Sequence, residues 1–132
     1  MGLALSHGAG SFAYSYFYKW RACLAQVAGL PPLEFMEGFY SPSRSSWAAL
    51  MDAETLRSLP ILWKSLRPDP LFALLKHSDC DGSLSVVKLI PLRRRLMAML
   101  PLIADEYMHE TTKRFIEGCA AAIEAGEPLE FY

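Results

Sequence analysis

Residues His77 to Ser85 (H-S-D-C-D-G-S-L-S) set two acids one residue apart, ahead of a glycine, a hydroxyl and an aliphatic residue. That is the middle of a calcium loop of the EF-hand type, in which carboxylates grip a hard cation and a glycine makes the sharp turn. With Gly82 at loop position six, Asp79 and Asp81 fall at positions three and five, but His77 takes position one. Lys88 takes position twelve, where a glutamate should close the shell with both oxygens. The spacing therefore predicts at most weak calcium binding by Asp79 and Asp81, and no other cofactor. One imidazole and two carboxylates are also a thin set for a transition metal. The same residues have a purely structural use, as a turn whose acids accept backbone N–H bonds and whose glycine takes a positive φ. Their remaining chemical use is acid–base work by His77 with Asp79 or Asp81 in a small hydrolase or transferase. Cys80 beside two acids is a poor thiolate, because negative neighbours raise a thiol's pKa.

A second group of chemistry-bearing residues lies near the start of the chain. Phe12, Tyr14, Tyr16, Phe17, Tyr18 and Trp20 point nearly all the way round a helix at 100° per residue. A helix apolar on every side must be covered on every side, or present one face to a ligand or a second subunit. The expected ligand-binding set is Ser11, Tyr14, Tyr18, Trp20 and Arg21, joined by His77. Arg93, Arg94 and Arg95 spread over about 200° of helix and so predict a solvated face rather than a phosphate patch.

The elements that position these residues are read from periodicity and breakers. Residues 1–10 read as a flexible lead-in, with Ser11 capping a helix over roughly Phe12 to Ala28 that stops at Gly29 and Pro31. Short helices are expected at Leu33 to Phe39 and Ala53 to Leu59, around loop chemistry at Ser41 to Ser46. Trp47 to Met51 resumes an apolar pattern, and Ile61 to Leu66 fits a strand or a helical turn equally well. Asp69 caps a helix over Pro70 to Lys76. Ser85 caps another from Val86 to Leu100, kinked at Pro91, with Leu89, Leu92, Leu96, Met99 and Leu100 inward. Asp105 starts the last helix, to Ala125, burying Met108, Thr112, Phe115, Cys119, Ala122 and Ile123. The tail Leu129 to Tyr132 alternates and could add an edge strand.

With 132 residues, 52% apolar, the chain has the size and core of one domain, 1–132. A net charge of −1 argues against a nucleic-acid polymer as partner. Three cysteines without C-x-x-C spacing predict no disulfide framework and suit a cytoplasmic location. No apolar run reaches the ~20 residues of a membrane span.

The strings Gly10 to Ser15, Phe17 to Ala25, Leu74 to Gly82, Ile90 to Leu96 and Ala125 to Phe131 together resemble a family of small uncharacterised proteins of phages, prophages and bacteria. The H-S-D-C-D-G string is its most specific piece. The resemblance implies a compact accessory protein of mobile-element type and carries no activity with it.

The predicted fold is mainly α, about four to six helices with at most a small sheet. Within it, residues 70–100 form a degenerate EF-hand-like helix–loop–helix. The expected function is a non-enzymatic, anti-defence type of binding protein, taking a host defence protein as partner or sequestering a small nucleotide signal. A homo-oligomer is compatible with the aromatic helix. The alternatives are the metal-regulated module and the small hydrolase or transferase.

Overall fold

In the computed structural model, residues 2–40, 52–57, 59–78 and 81–132 are described. The expected loop at Ser41 to Ser46, the apolar run Trp47 to Met51, and Asp79 with Cys80 lie outside them. The chain opens on a β-hairpin, β1 (Gly2–Leu5) and β2 (Gly10–Ala13), paired antiparallel with Leu3 opposite Phe12. The hairpin turn is one 3-10 turn, Ser6–Gly8, in which His7 takes φ 58° and Gly8 φ 73°. Helix α1 (Tyr14–Val27) follows directly. After the 3-10 turn Leu33–Phe35 come α2 (Ala53–Arg57), a further 3-10 turn Trp63–Ser65, and the single-turn α3 (Phe72–Leu75). Strand β3 (Gly82–Leu84), α4 (Val86–Met99), α5 (Glu106–Ala125) and β4 (Leu129–Phe131) complete the fold.

The four strands form one antiparallel sheet in the order β2-β1-β4-β3. Its inner face presents Leu3, Leu5, Phe12, Leu84, Leu129 and Phe131, all buried. The alternate positions Gly2, Ser11, Ala13, Ser83 and Glu130 are exposed. Period-two alternation thus gives a sheet with one face on the core and one face in solvent. Phe12 packs on Tyr16, Phe17 and Trp20 of α1, and Trp20 on Phe115 of α5. The core therefore lies between the inner sheet face and the helices.

This is a mixed α and β fold, which corrects the mainly α expectation. The presumed lead-in at residues 1–10 is half of the sheet, and the expected helix start at Ser11 and Phe12 belongs to β2. Four-residue strands are too short for their alternation to stand out in the sequence; backbone pairing with other segments is what stabilises them. The C-terminal tail does add a strand, but β4 lies inside the sheet between β1 and β3 rather than at its edge. Residues 70–100 are likewise not helix–loop–helix: α3 is one turn long and β3 precedes α4.

The helix boundaries follow local chemistry. Asp105 caps α5, its Oδ1 accepting from the Met108 N–H at 3.0 Å, and Gly126 ends the helix in the left-handed region at φ 65°. Asp69 accepts the Leu71 N–H at 2.9 Å ahead of α3, and Arg95 on α4 reaches both of its carboxylate oxygens at 3.2 Å. Ser85 sits at the first position before α4 with no side-chain cap bond.

Candidate functional site

Helix α1 points Arg21 inward, and only 2% of that residue is exposed. A buried guanidinium needs acceptors and a way to spread its charge. Arg21 Nη1 donates to the carbonyls of Leu75 (3.2 Å) and His77 (2.8 Å), at the C-terminal end of α3, where carbonyls lack helical donors. Its Cζ stacks 4.2 Å from the Phe17 ring centroid and 5.2 Å from that of Phe39. Arg21 is thus the fastener that fixes the turn from Leu75 to His77 to α1.

His77 follows on that fastened turn. Its imidazole stacks on Phe131 of β4 at 3.9 Å between centroids. Nδ1 lies 2.8 Å from the Ser78 carbonyl and Nε2 3.3 Å from the Ser83 carbonyl. Gly82 has φ 114°, and a Cβ there would come within 3.1 Å of the His77 ring. The glycine is required twice, for its backbone and for the ring above it. In calcium-loop numbering Ser83 is position seven, whose carbonyl is itself a cation ligand. The imidazole of position one therefore lies beside the carbonyl that a calcium ion would use. Asp81 is exposed, and no group of three or more His, Cys, Asp or Glu able to hold a metal occurs among the described residues.

An open cleft of about 500 Å³ lies beside this segment, lined by Arg21, Glu37, Phe39, Trp63, Lys76 and His77, among others. Trp63 is held rigidly: its Nε1 donates to the Glu37 carbonyl (3.1 Å), its backbone N–H to Glu37 Oε1 (2.7 Å), and its ring packs on Phe72. Lys76 is exposed at the rim. Tyr18 reaches the cluster through Phe39, at 5.8 Å between centroids.

Of the residues singled out as ligand-binding, the fold brings Arg21 and His77 to one cleft, with Tyr18 behind Phe39. Trp20 is sealed in the core, where its Nε1 donates to Thr112 Oγ1 at 2.9 Å. Ser11 is exposed on β2, lining another cleft with Tyr16, Tyr107 and Arg114, and Tyr14 is exposed at the start of α1. Glu37, Phe39, Trp63 and Lys76 escaped sequence reasoning. They come from three separated segments, and the Met36–Ile61 bridge and the two Trp63–Glu37 hydrogen bonds draw Glu37 and Trp63 together.

A second polar array also went unread. Glu127 Oε1 lies 3.1 Å from His7 Nε2, and His7 Nδ1 lies 2.7 Å from Ser6 Oγ. This has the donor order of an activated hydroxyl. Ser6 Oγ also accepts the Glu130 backbone N–H at 2.8 Å, so the array latches the hairpin turn to β4. The buried Cys119 thiol is pushed up to about 12 by burial, against the pull of Arg93, and Cys23 is raised by burial and then by Asp105. Neither is an activated thiolate. No helix among the described residues is long and apolar enough to cross a membrane.

No family model matches this chain, and neither does any curated protein or solved structure.

Proposed function

We propose that the protein is a non-enzymatic binding protein that takes a small planar anion, of the nucleotide class, into the cleft between Phe39, Trp63, Lys76 and His77. One observation carries this reading: aromatic walls and an exposed ammonium converge on one cleft whose floor is already rigid. A base would stack against Phe39 or Trp63, while Lys76 would meet the phosphate. Arg21 contributes its charge to the floor, its Nη1 being committed to the Leu75 and His77 carbonyls. Glu37 holds a carboxylate at the wall able to accept from a base N–H. The sequence resemblance supports placing this activity in a phage- or prophage-type accessory protein, cytoplasmic, that sequesters a host defence signal.

The test is a melting screen against cyclic mononucleotides, cyclic dinucleotides and linear nucleotides, followed by calorimetry. A ligand at a hundredfold excess over its Kd should stabilise the fold by about 2.7 kcal/mol. Lys76→Glu and Phe39→Ala should each weaken binding by about tenfold or more while leaving the unliganded melt near that of the parent. Absence of any shift across the panel at millimolar concentration overturns the proposal.

A further inference from the structure

Helix α4 turns Leu89, Leu92, Leu96 and Met99 to the core. An ordinary surface helix is then polar on its opposite side. Here Val87, Ile90, Arg94 and Met97, at spacings of three and four, form the outward stripe, with Pro91 and Ala98 beside them. Exposure is 81% for Val87, 42% for Ile90 and 47% for Met97, and Leu102 just beyond the helix is 67% exposed. Arg94 is the single charge on that stripe. The helix contains Lys88, Arg93, Arg94 and Arg95 and no acid. Arg95 is paired with Asp69. Beside the first half of α4, a groove of about 440 Å³ runs against α3, lined by Phe72, Ala73, Val87, Lys88 and Pro91, with Lys76 at its edge.

We infer that this groove and the outward face of α4 are a docking surface for an acidic amphipathic segment of another protein. Exposed apolar side chains in line along one face of a surface helix point to an interaction site. Charge selects its occupant. The groove offers Lys76 and Lys88, and Arg94 stands on the adjoining outward stripe. The one acid lining the groove among the described residues, Asp69, is already bound by Arg95 and by the Leu71 N–H. A second copy of this chain is the wrong occupant. Arg94 stands midway between Val87 and Leu102, so two α4 helices crossing about a two-fold axis would press Arg94 against Arg94 without water. An anionic lipid surface is also disfavoured, because a chain of net charge −1 gains little long-range attraction to it. Pro91 adds a polar feature: having no N–H, it leaves the Val87 carbonyl without its helical donor, on the exposed side. A side-chain donor of the partner would satisfy it.

The experiment uses the full chain and a synthetic helical peptide with leucines at i, i+3, i+4 and i+7 and glutamates elsewhere, followed by fluorescence anisotropy. Saturable binding is expected, weakened by raised salt and lowered about tenfold by Arg94→Glu and by the double change Val87→Ser with Ile90→Ser. Nucleotide binding in the cleft should be the same in these variants, so that the two proposals fail separately. No binding, equal binding of a lysine-for-glutamate peptide, or binding indifferent to both variants overturns the inference. So does a dimer in sedimentation that either variant dissolves, or tighter association with phosphatidylserine vesicles than with the peptide.

Discussion

Arg21 carries a full charge into the protein and is held there by two carbonyls and two aromatic rings. Replacing it with Met keeps most of the volume but strands the Leu75 and His77 carbonyls. Each stranded acceptor costs about 1 to 3 kcal/mol, so Arg21→Met should lower the urea-derived stability by about 3 kcal/mol. Arg21→Lys should recover little of this, since one ammonium cannot reproduce the planar stack. Cys119 gives a pH prediction. Its folded value of about 12 exceeds the ordinary 9.0, so the folded state keeps a proton that the unfolded chain releases. This contribution is full below pH 9 and is lost as pH rises toward 12. Urea melts at about pH 8 and about pH 10.5 should show the parent losing more stability than Cys119→Ala does. Equal losses would show that the thiol is not sealed. His77 stands at position one and Lys88 at position twelve of the calcium-loop numbering, so calcium should leave the melting temperature unchanged relative to chelator. Lys88→Glu combined with His77→Asp should create a calcium-dependent shift if the loop backbone has the calcium-loop shape.

Helix α5 packs on Ala9, just after the hairpin turn, closely enough at Gly118 to leave no room for a side chain. A Cβ on Gly118 would overlap the Cβ and backbone of Ala9, neither of which is a flexible side-chain end. Gly118→Ala gains helix propensity of about 1 kcal/mol but forces the hairpin and helix apart. The expected net loss is about 2 kcal/mol, with the melt as readout. A variant as stable as the parent would mean that the hairpin can lift off α5. Gly82 carries the matching prediction in the sheet. At φ 114° any side chain is strained, and it would push His77 off Phe131, so Gly82→Ala should cost more than a surface strand substitution would. The aromatic helix α1 also resolves at this scale. Phe17, Trp20, Leu24 and Ala25 face the core, while Tyr16 reaches Thr111 through its hydroxyl at 2.8 Å and Tyr18 reaches Phe39.

The whole molecule is a half-covered sheet with its helices on one side, joined at both ends of the chain. The hairpin at the N-terminus pairs with the C-terminal strand through Leu5 opposite Phe131, and the Ser6–His7–Glu127 latch closes the same seam. Deleting the last four residues should therefore do more than fray an end. It removes the interior strand β4, the ring under His77 and the partner of both β1 and β3. The truncated chain is expected to lose cooperative unfolding in near-ultraviolet circular dichroism, and a cooperative melt close to that of the parent would contradict this architecture.

The sequence by itself determined the existence of the long helices and most of their ends, though not the start of α1, whose expected cap lies in β2. Asp105 and Gly126 bound α5, Gly29 follows α1, and Leu89, Leu92, Leu96 and Met99 line the inner face of α4, because capping and 3.6-residue periodicity are local effects within one segment. It also contained the positive-φ turn at Gly82. Only the tertiary structure decided the sheet, since Leu3, Leu5, Leu84 and Phe131 earn their strand conformation from hydrogen bonds to segments a hundred residues away in some cases. The buried Arg21 was equally illegible: nothing in a helical sequence says that an arginine will find two carbonyls and two rings inside. The cleft was illegible for the same reason, because Phe39, Trp63 and Lys76 share no segment and meet only when chain folding brings three segments side by side.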